Sequence, residues 1–95
     1  MNTKPSLTTK LVETLGTEMF LLDLFPEASV KYKSILMLCP FHNERNPSLA
    51  IYKESGRGKC FACGKKTDLV ELYAVKNSIS INEACKQILK KLGGV

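Results

Sequence analysis

At 95 residues the chain has room for one small domain, and it is too short for an enzyme core with a separate binding module. Hydrophobic residues make up 44%, which argues against wholesale disorder, while the lack of tryptophan and an aromatic content of 7% leave few large side chains for a core. The net charge of +5 points to acidic partners, and no apolar run approaches the roughly 20 residues that cross a bilayer. No charged stretch leading into an apolar one opens the chain, so a cytosolic protein without membrane contact is expected.

In chain order, residues 1–6 read as a loose tail and residues 7–95 as one domain. Leu11 with Leu15, then Leu21 with Leu24 and Phe25, predict two short amphipathic helices, interrupted around Gly16 and Thr17 and ended by Pro26. Ser34 to Cys39 is an apolar run with the character of a buried strand. Pro47 to Glu54 follows as a second strand, with Leu49, Ile51 and Lys53 alternating against Ser48, Ala50 and Tyr52. Ser55-Gly-Arg-Gly58 is a turn cluster, and Lys59 to Ala62 returns as a third strand, after which Gly64 permits a positive φ. Asp68 with Glu71 opens a helix carrying Leu69, Leu72 and Tyr73. Ser80-Ile-Asn-Glu83 is a capping box for a last helix whose inward face holds Ile81, Ala84, Cys85, Ile88, Leu89 and Leu92, closed by Gly93. The fold class is α+β: a small antiparallel sheet of about three or more strands with helices on both sides in sequence.

Chemistry concentrates in one set. Cys39-Pro-Phe-His42 and, seventeen residues later, Cys60-Phe-Ala-Cys63 hold three of the four cysteines and the single histidine. Two residues between the members of each pair let a tight turn present both side chains to one ion, so Cys39, His42, Cys60 and Cys63 are the candidate ligands of one Zn²⁺. A redox reading of Cys60 and Cys63 needs a strand-helix context that is absent. Four good ligands, three of them thiolates, describe a closed structural site rather than an open catalytic one. Structural zinc carries an apparent free energy of roughly 10–16 kcal/mol, so the zinc segment is expected to unfold without metal. Cys85 has no evident partner and belongs on the core side of the last helix. Asp68 reads as a helix cap rather than a catalytic acid.

The charge is uneven. Residues 1–38 balance four lysines against four acids and residues 67–95 carry four lysines against three, whereas residues 39–66 set Arg45, Lys53, Arg57, Lys59, Lys65 and Lys66 against Glu44 and Glu54. That local excess is +4 (six minus two), or +3 after adding Zn²⁺ and removing three thiol protons. A solvated lysine-rich surface would account for it. The interleaving of Phe41, Tyr52 and Phe61 favours a single nucleic-acid strand, whose backbone follows the cations while bases stack on rings, although some of these rings suit a core equally well.

Cys39-Pro-Phe-His-Asn-Glu-Arg-Asn-Pro-Ser48, Cys60-Phe-Ala-Cys-Gly-Lys-Lys-Thr-Asp68 and Glu83-Ala84 together resemble the zinc-binding domain of bacterial-type replicative DNA primases, over about residues 20–92. The resemblance implies a zinc ribbon that binds single-stranded DNA template and helps initiate an RNA primer in DNA replication. Carried across by position, Cys39, His42, Cys60 and Cys63 match the zinc ligands and Arg45 a basic position; the proposed nucleic-acid contacts are Arg45, Lys53, Arg57, Lys59, Phe61, Lys65 and Lys66. Ala62 and Thr67 stand where the family usually has glycine. The acidic cluster of the family's catalytic domain is missing, so primer synthesis by this chain alone is not expected. The resemblance leaves two origins: an excised domain, or a free-standing homologue acting in trans with a separate primase catalytic chain or replicative helicase, which is the expectation adopted. Transcription-type zinc ribbons and purely protein-binding fingers share the site chemistry and remain alternatives, with a dormant enzyme as a third.

Overall fold

The computed structural model describes residues 6–41 and 46–93. Two eight-residue helices come first, α1 (Leu7–Thr14) and α2 (Thr17–Leu24). Helices this short are marginal alone. They persist because Leu11, Phe20 and Leu21 enter the core, and because caps satisfy exposed backbone groups. Ser6, assigned above to the tail, is the N-cap of α1: its Oγ accepts the Thr9 N–H at 3.1 Å. Gly16 separates the two helices with a φ of 88°, as the interruption there predicted.

Five strands follow as a meander: β1 (Ser29–Val30), β2 (Ser34–Met37), β3 (Leu49–Tyr52), β4 (Arg57–Cys60) and β5 (Lys66–Asp68), paired in that order and antiparallel throughout. Side chains alternate between the faces of a sheet. One face carries Ile35, Met37, Leu49, Ile51 and Cys60, all buried, against Leu11, Leu21, Leu69, Leu72 and Ile88 of the helices. Among the described residues, the opposite face carries exposed Lys59, Lys66 and Tyr52.

Helix α3 (Leu69–Asn77) begins at Asp68, whose Oδ1 accepts the Glu71 N–H at 2.9 Å, and ends at Ser78 in the left-handed region with φ 54°. Helix α4 (Ile81–Lys91) begins at Ser80, whose Oγ accepts the Glu83 N–H at 3.1 Å. Both caps stand where the sequence placed them. The apolar stripe of α4 is narrower than predicted: Ala84 and Ile88 are buried and Cys85 packs partly against the core, but Ile81 and Leu89 stay exposed.

Three details of the sheet depart from the sequence reading. β1 and β5, of two and three residues, are too short to show a period. Ala50, assigned to the outer side of β3, is buried between Leu36 of β2 and Lys59 of β4. Arg57 and Gly58 belong to β4 rather than to the turn, which spans residues 53–56. The reason is steric: a Cβ on Gly58 would overlap the Ala50 carbonyl oxygen, so glycine lets β3 and β4 close up.

Gly58→Ala is therefore expected to destabilise the zinc-loaded chain by about 1–3 kcal/mol by prising β3 from β4, read by denaturant unfolding. Thr67 gives the opposite case. Its Oγ1 is buried and, among the described residues, is the one side-chain oxygen or nitrogen of that kind without a hydrogen bond. Thr67→Val keeps the shape and removes the desolvated hydroxyl, so stability should be unchanged or higher by up to about 1 kcal/mol; a clear loss in the same measurement would contradict this assignment.

Candidate functional site

The metal-ligand candidates sit at one end of the sheet. Cys39 lies two residues past the end of β2, Cys60 is the last residue of β4, and β3 runs between these strands. Cys60 and Cys63 are brought round by a tight knuckle: the Gly64 N–H donates to the Cys60 carbonyl at 2.8 Å, and the Cys60 N–H donates to the Lys65 carbonyl at 2.9 Å. This reversal needs Gly64 at φ 78°, the positive value anticipated from sequence. On the other side, the Phe41 N–H donates to the Cys39 sulfur. Ser48 Oγ is 3.2 Å from Cys60 Sγ, and the Phe61 N–H donates to the Ser48 carbonyl at 2.8 Å, which locks the knuckle to the start of β3.

The Sγ atoms of Cys39, Cys60 and Cys63 all lie within 4.8 Å of one another, the first two buried and the third exposed. Zn–S bonds of about 2.3 Å in a tetrahedron set sulfur atoms about 3.8 Å apart, so this donor set fits zinc. Burial, followed by the neighbouring Cys60 and Cys63 sulfurs, pushes the Cys39 thiol up from 9.0 to about 11 against the opposing effect of the Phe41 N–H. A divalent cation reverses that balance, because a coordinating thiol is deprotonated outright. His42 and Arg45, both singled out from sequence, lie outside the described residues.

The remaining predicted residues separate by position. Strand register places side chains on the open face in rows across the sheet, about 7 Å apart along the strands. Nearest the thiols, Leu38, Ser48 and Phe61 share a row; next come Leu36, Ala50, Lys59 and Lys66; then Ser34, Tyr52, Arg57 and Asp68. Phe61 is 67% exposed and Tyr52 is 49% exposed, so neither ring is core. Lys59 and Lys66 are directly opposed and both exposed, with no anion between them among the described residues. Arg57 reaches toward α1, donating to Ser6 Oγ at 3.0 Å.

Two lysines fall off this face. Lys53 lies at the far end of the sheet, 3.3 Å from Glu18 of α2. Lys65 stays beside the thiols, 4.8 Å above the Phe41 ring and 3.3 Å from Glu71, and Phe41 is half-buried against the core. Sequence reasoning passed over Lys31-Tyr32-Lys33 in the β1–β2 connection. The signal was the same mixture of cations and ring used for residues 39–66, but it lay outside that window.

A five-stranded antiparallel sheet with three clustered thiols at the ends of its strands, helices on one face and the other face open, defines a zinc ribbon. A family model described as CHC2 zinc finger matches residues 9–94, and the chain belongs to this family. It is 33% identical over 86 residues to the DNA primase of Lactococcus lactis subsp. lactis strain IL1403, a match that covers 87% of this chain and 14% of that protein. The DNA primase of Thermotoga maritima is 36% identical over 56 residues, covering 59% of this chain and 10% of the relative. The crystal structure of the Aquifex aeolicus primase, containing zinc-binding and RNA polymerase domains, superposes with a TM-score of 0.66 at 25% identity, over 95% of this chain and 22% of that one. The chain thus spans a small part of the curated relatives it matches, and what it matches is a zinc-binding domain of DNA primase type. No helix among the described residues is long and apolar enough to cross a membrane.

Zinc must displace the Cys39 proton throughout the neutral range, since that thiol holds it up to a pKa of about 11. Lower pH favours the proton, so zinc affinity should fall by about tenfold per pH unit for each thiol proton displaced. A chelator-competition titration between pH 6 and 8 checks this, and affinity independent of pH would contradict thiolate ligation. Cys60→Ala, which removes a buried sulfur, should abolish stoichiometric zinc.

Proposed function

We propose that this domain is a template-recognition module of DNA primase type: it binds single-stranded DNA across the open face of its sheet and takes part in primer initiation. One structural Zn²⁺, held by Cys39, His42, Cys60 and Cys63, fixes the strand ends and takes no part in chemistry. The observation that carries this reading is the opposed pair Lys59 and Lys66 on the open face, flanked by the exposed rings of Phe61 and Tyr52. Like charges held opposite each other in a sheet are unfavourable in isolation. A phosphate backbone relieves that repulsion, and the rings on either side offer stacking at about 1–3 kcal/mol per base. Arg57 stands in the next row, opposite Asp68 and bonded to Ser6 Oγ; with Arg45, Lys65 and Lys53 it adds to the field around the lysine pair, and the thiolate set suits a reducing, cytoplasmic setting.

Polymerisation belongs to a separate catalytic unit in this reading. The domain presents the template to a primase catalytic chain, with a replicative helicase as the other candidate partner. Support comes from the primase relatives and from the Aquifex aeolicus structure, which pairs a zinc-binding domain with an RNA polymerase domain.

The test is oligothymidylate binding by fluorescence anisotropy across a salt series. Each phosphate contact on a single strand contributes about 0.7 to the log-log slope, so three or four contacts give about −2 to −3, and the Lys59→Ala/Lys66→Ala double variant should be shallower by about 1.4. Chelation should abolish binding, and a zinc-loaded domain without primase catalytic activity of its own should restore priming to a catalytic chain stripped of its zinc domain. Tight binding insensitive to salt, or preference for duplex over single strand, would sink the proposal.

A further inference from the structure

At the end of the sheet remote from the cysteines, two tyrosines line one open cleft of about 690 Å³ together with Lys33, Lys53, Glu54 and Ser55. Tyr32 sits at the tip of the β1–β2 connection and is 88% exposed, the most exposed of the large hydrophobic side chains among the described residues. Tyr52 closes β3, opposite Ser34, and its ring belongs to the open face. The cleft walls are built rather than loose. The Lys53 N–H donates to the Lys33 carbonyl at 3.0 Å, tying the two strand connections together, and the Thr17 hydroxyl donates to the Lys53 carbonyl at 2.6 Å, anchoring both to α2. Lys33 Nζ lies 5.9 Å from the Tyr32 ring centroid, within cation–π range, and Lys31 flanks the same tip.

Such an arrangement leaves two exposed rings beside Lys31 and Lys33, while Lys53 is paired with Glu18 and Glu54 lines the cleft. Rings alone would suit an apolar partner. Rings interleaved with cations, and continuous through Tyr52 and Arg57 with the Lys59 and Lys66 row, suit a flat, π-rich group carried on a polyanion. We infer that the Tyr32–Tyr52 cleft is a base-stacking subsite for single-stranded nucleic acid, with Lys31 and Lys33 meeting the flanking phosphates. The inference rests on the single-strand reading above and adds a position to it: the strand runs from Phe61 beside the thiols to Tyr32 at the opposite end, about 20 Å along the strands.

The chain is suited to a direct optical test, because it has no tryptophan and three tyrosines, of which Tyr73 is tied to the helices through a hydrogen bond from its hydroxyl to Gln87 Oε1. The zinc-loaded chain is titrated with a thymidine 12-mer and with an abasic 12-mer of the same charge, following anisotropy and tyrosine emission. The thymidine strand should quench tyrosine emission, and Tyr32→Ala should weaken its binding by about 5- to 100-fold while leaving the salt slope and zinc content unchanged. Tyr32→Phe should retain most of the affinity. The abasic strand should bind wild type and Tyr32→Ala alike. If the wild type binds the thymidine strand and Tyr32→Ala binds it within twofold, the subsite is overturned while the single-strand reading stands. Equal losses on both strands, or the same quenching by polyglutamate, would also overturn it, since the cleft would then read charge rather than bases. No binding by the wild type at low salt would remove both.

Discussion

Sulfur atoms from the ends of β2 and β4 meet beside β3, which lies between those strands, so whatever holds the thiols together also fixes the middle of the sheet. Left as thiols they are close-packed, and burial holds the Cys39 proton up to a pKa of about 11. As thiolates they would repel one another at these distances. A divalent cation would turn that repulsion into attraction to one shared charge. The core cannot substitute for it: its largest fully buried side chains are leucines and isoleucines, and no tryptophan or phenylalanine is among them. The Ser48 contact with Cys60 and the Gly64 reversal serve the same end, presenting sulfur lone pairs in a fixed direction.

Much of this was legible from the chain. Helix ends were the clearest signals, because Gly16, Asp68 and Ser80 act through local hydrogen bonds or dihedral limits that need only near neighbours. The cysteine spacing was equally informative, since a knuckle of two intervening residues is a local geometry. What the sequence concealed was non-local. β1 and β5 owe their existence to neighbouring strands, Ala50 is buried by Leu36 and Lys59 on adjacent strands, and Gly58 is required by a carbonyl eight residues earlier in the chain. Charge counting grouped six basic residues by proximity in sequence; the fold distributes those it describes among the open face, the far end and the metal end.

That distribution separates the roles of the two sheet faces. The inner face buries its side chains against four helices and supplies rigidity, while the outer face keeps two rings and two opposed lysines in water. Such a surface would cost stability in a molecule that had nothing to meet. Here it sits on short strands clamped at one end by the thiol cluster and at the other by the hydrogen bonds linking Thr17, Lys53 and Lys33, so its spacing is set before any ligand arrives. Preorganisation of this kind lowers the ordering cost of binding.

The meander order also bears on how the chain reaches its structure. Every strand pairs with its neighbour in sequence, so each step of sheet assembly closes only a short loop and loses little chain entropy. Folds dominated by such local contacts form quickly. The metal site closes across β3 alone, without gathering ligands from distant parts of the chain. A sheet wired this way can be rebuilt hairpin by hairpin once the ion returns, with the ties from the N-terminal helices, such as Thr17 to Lys53, left to close over it.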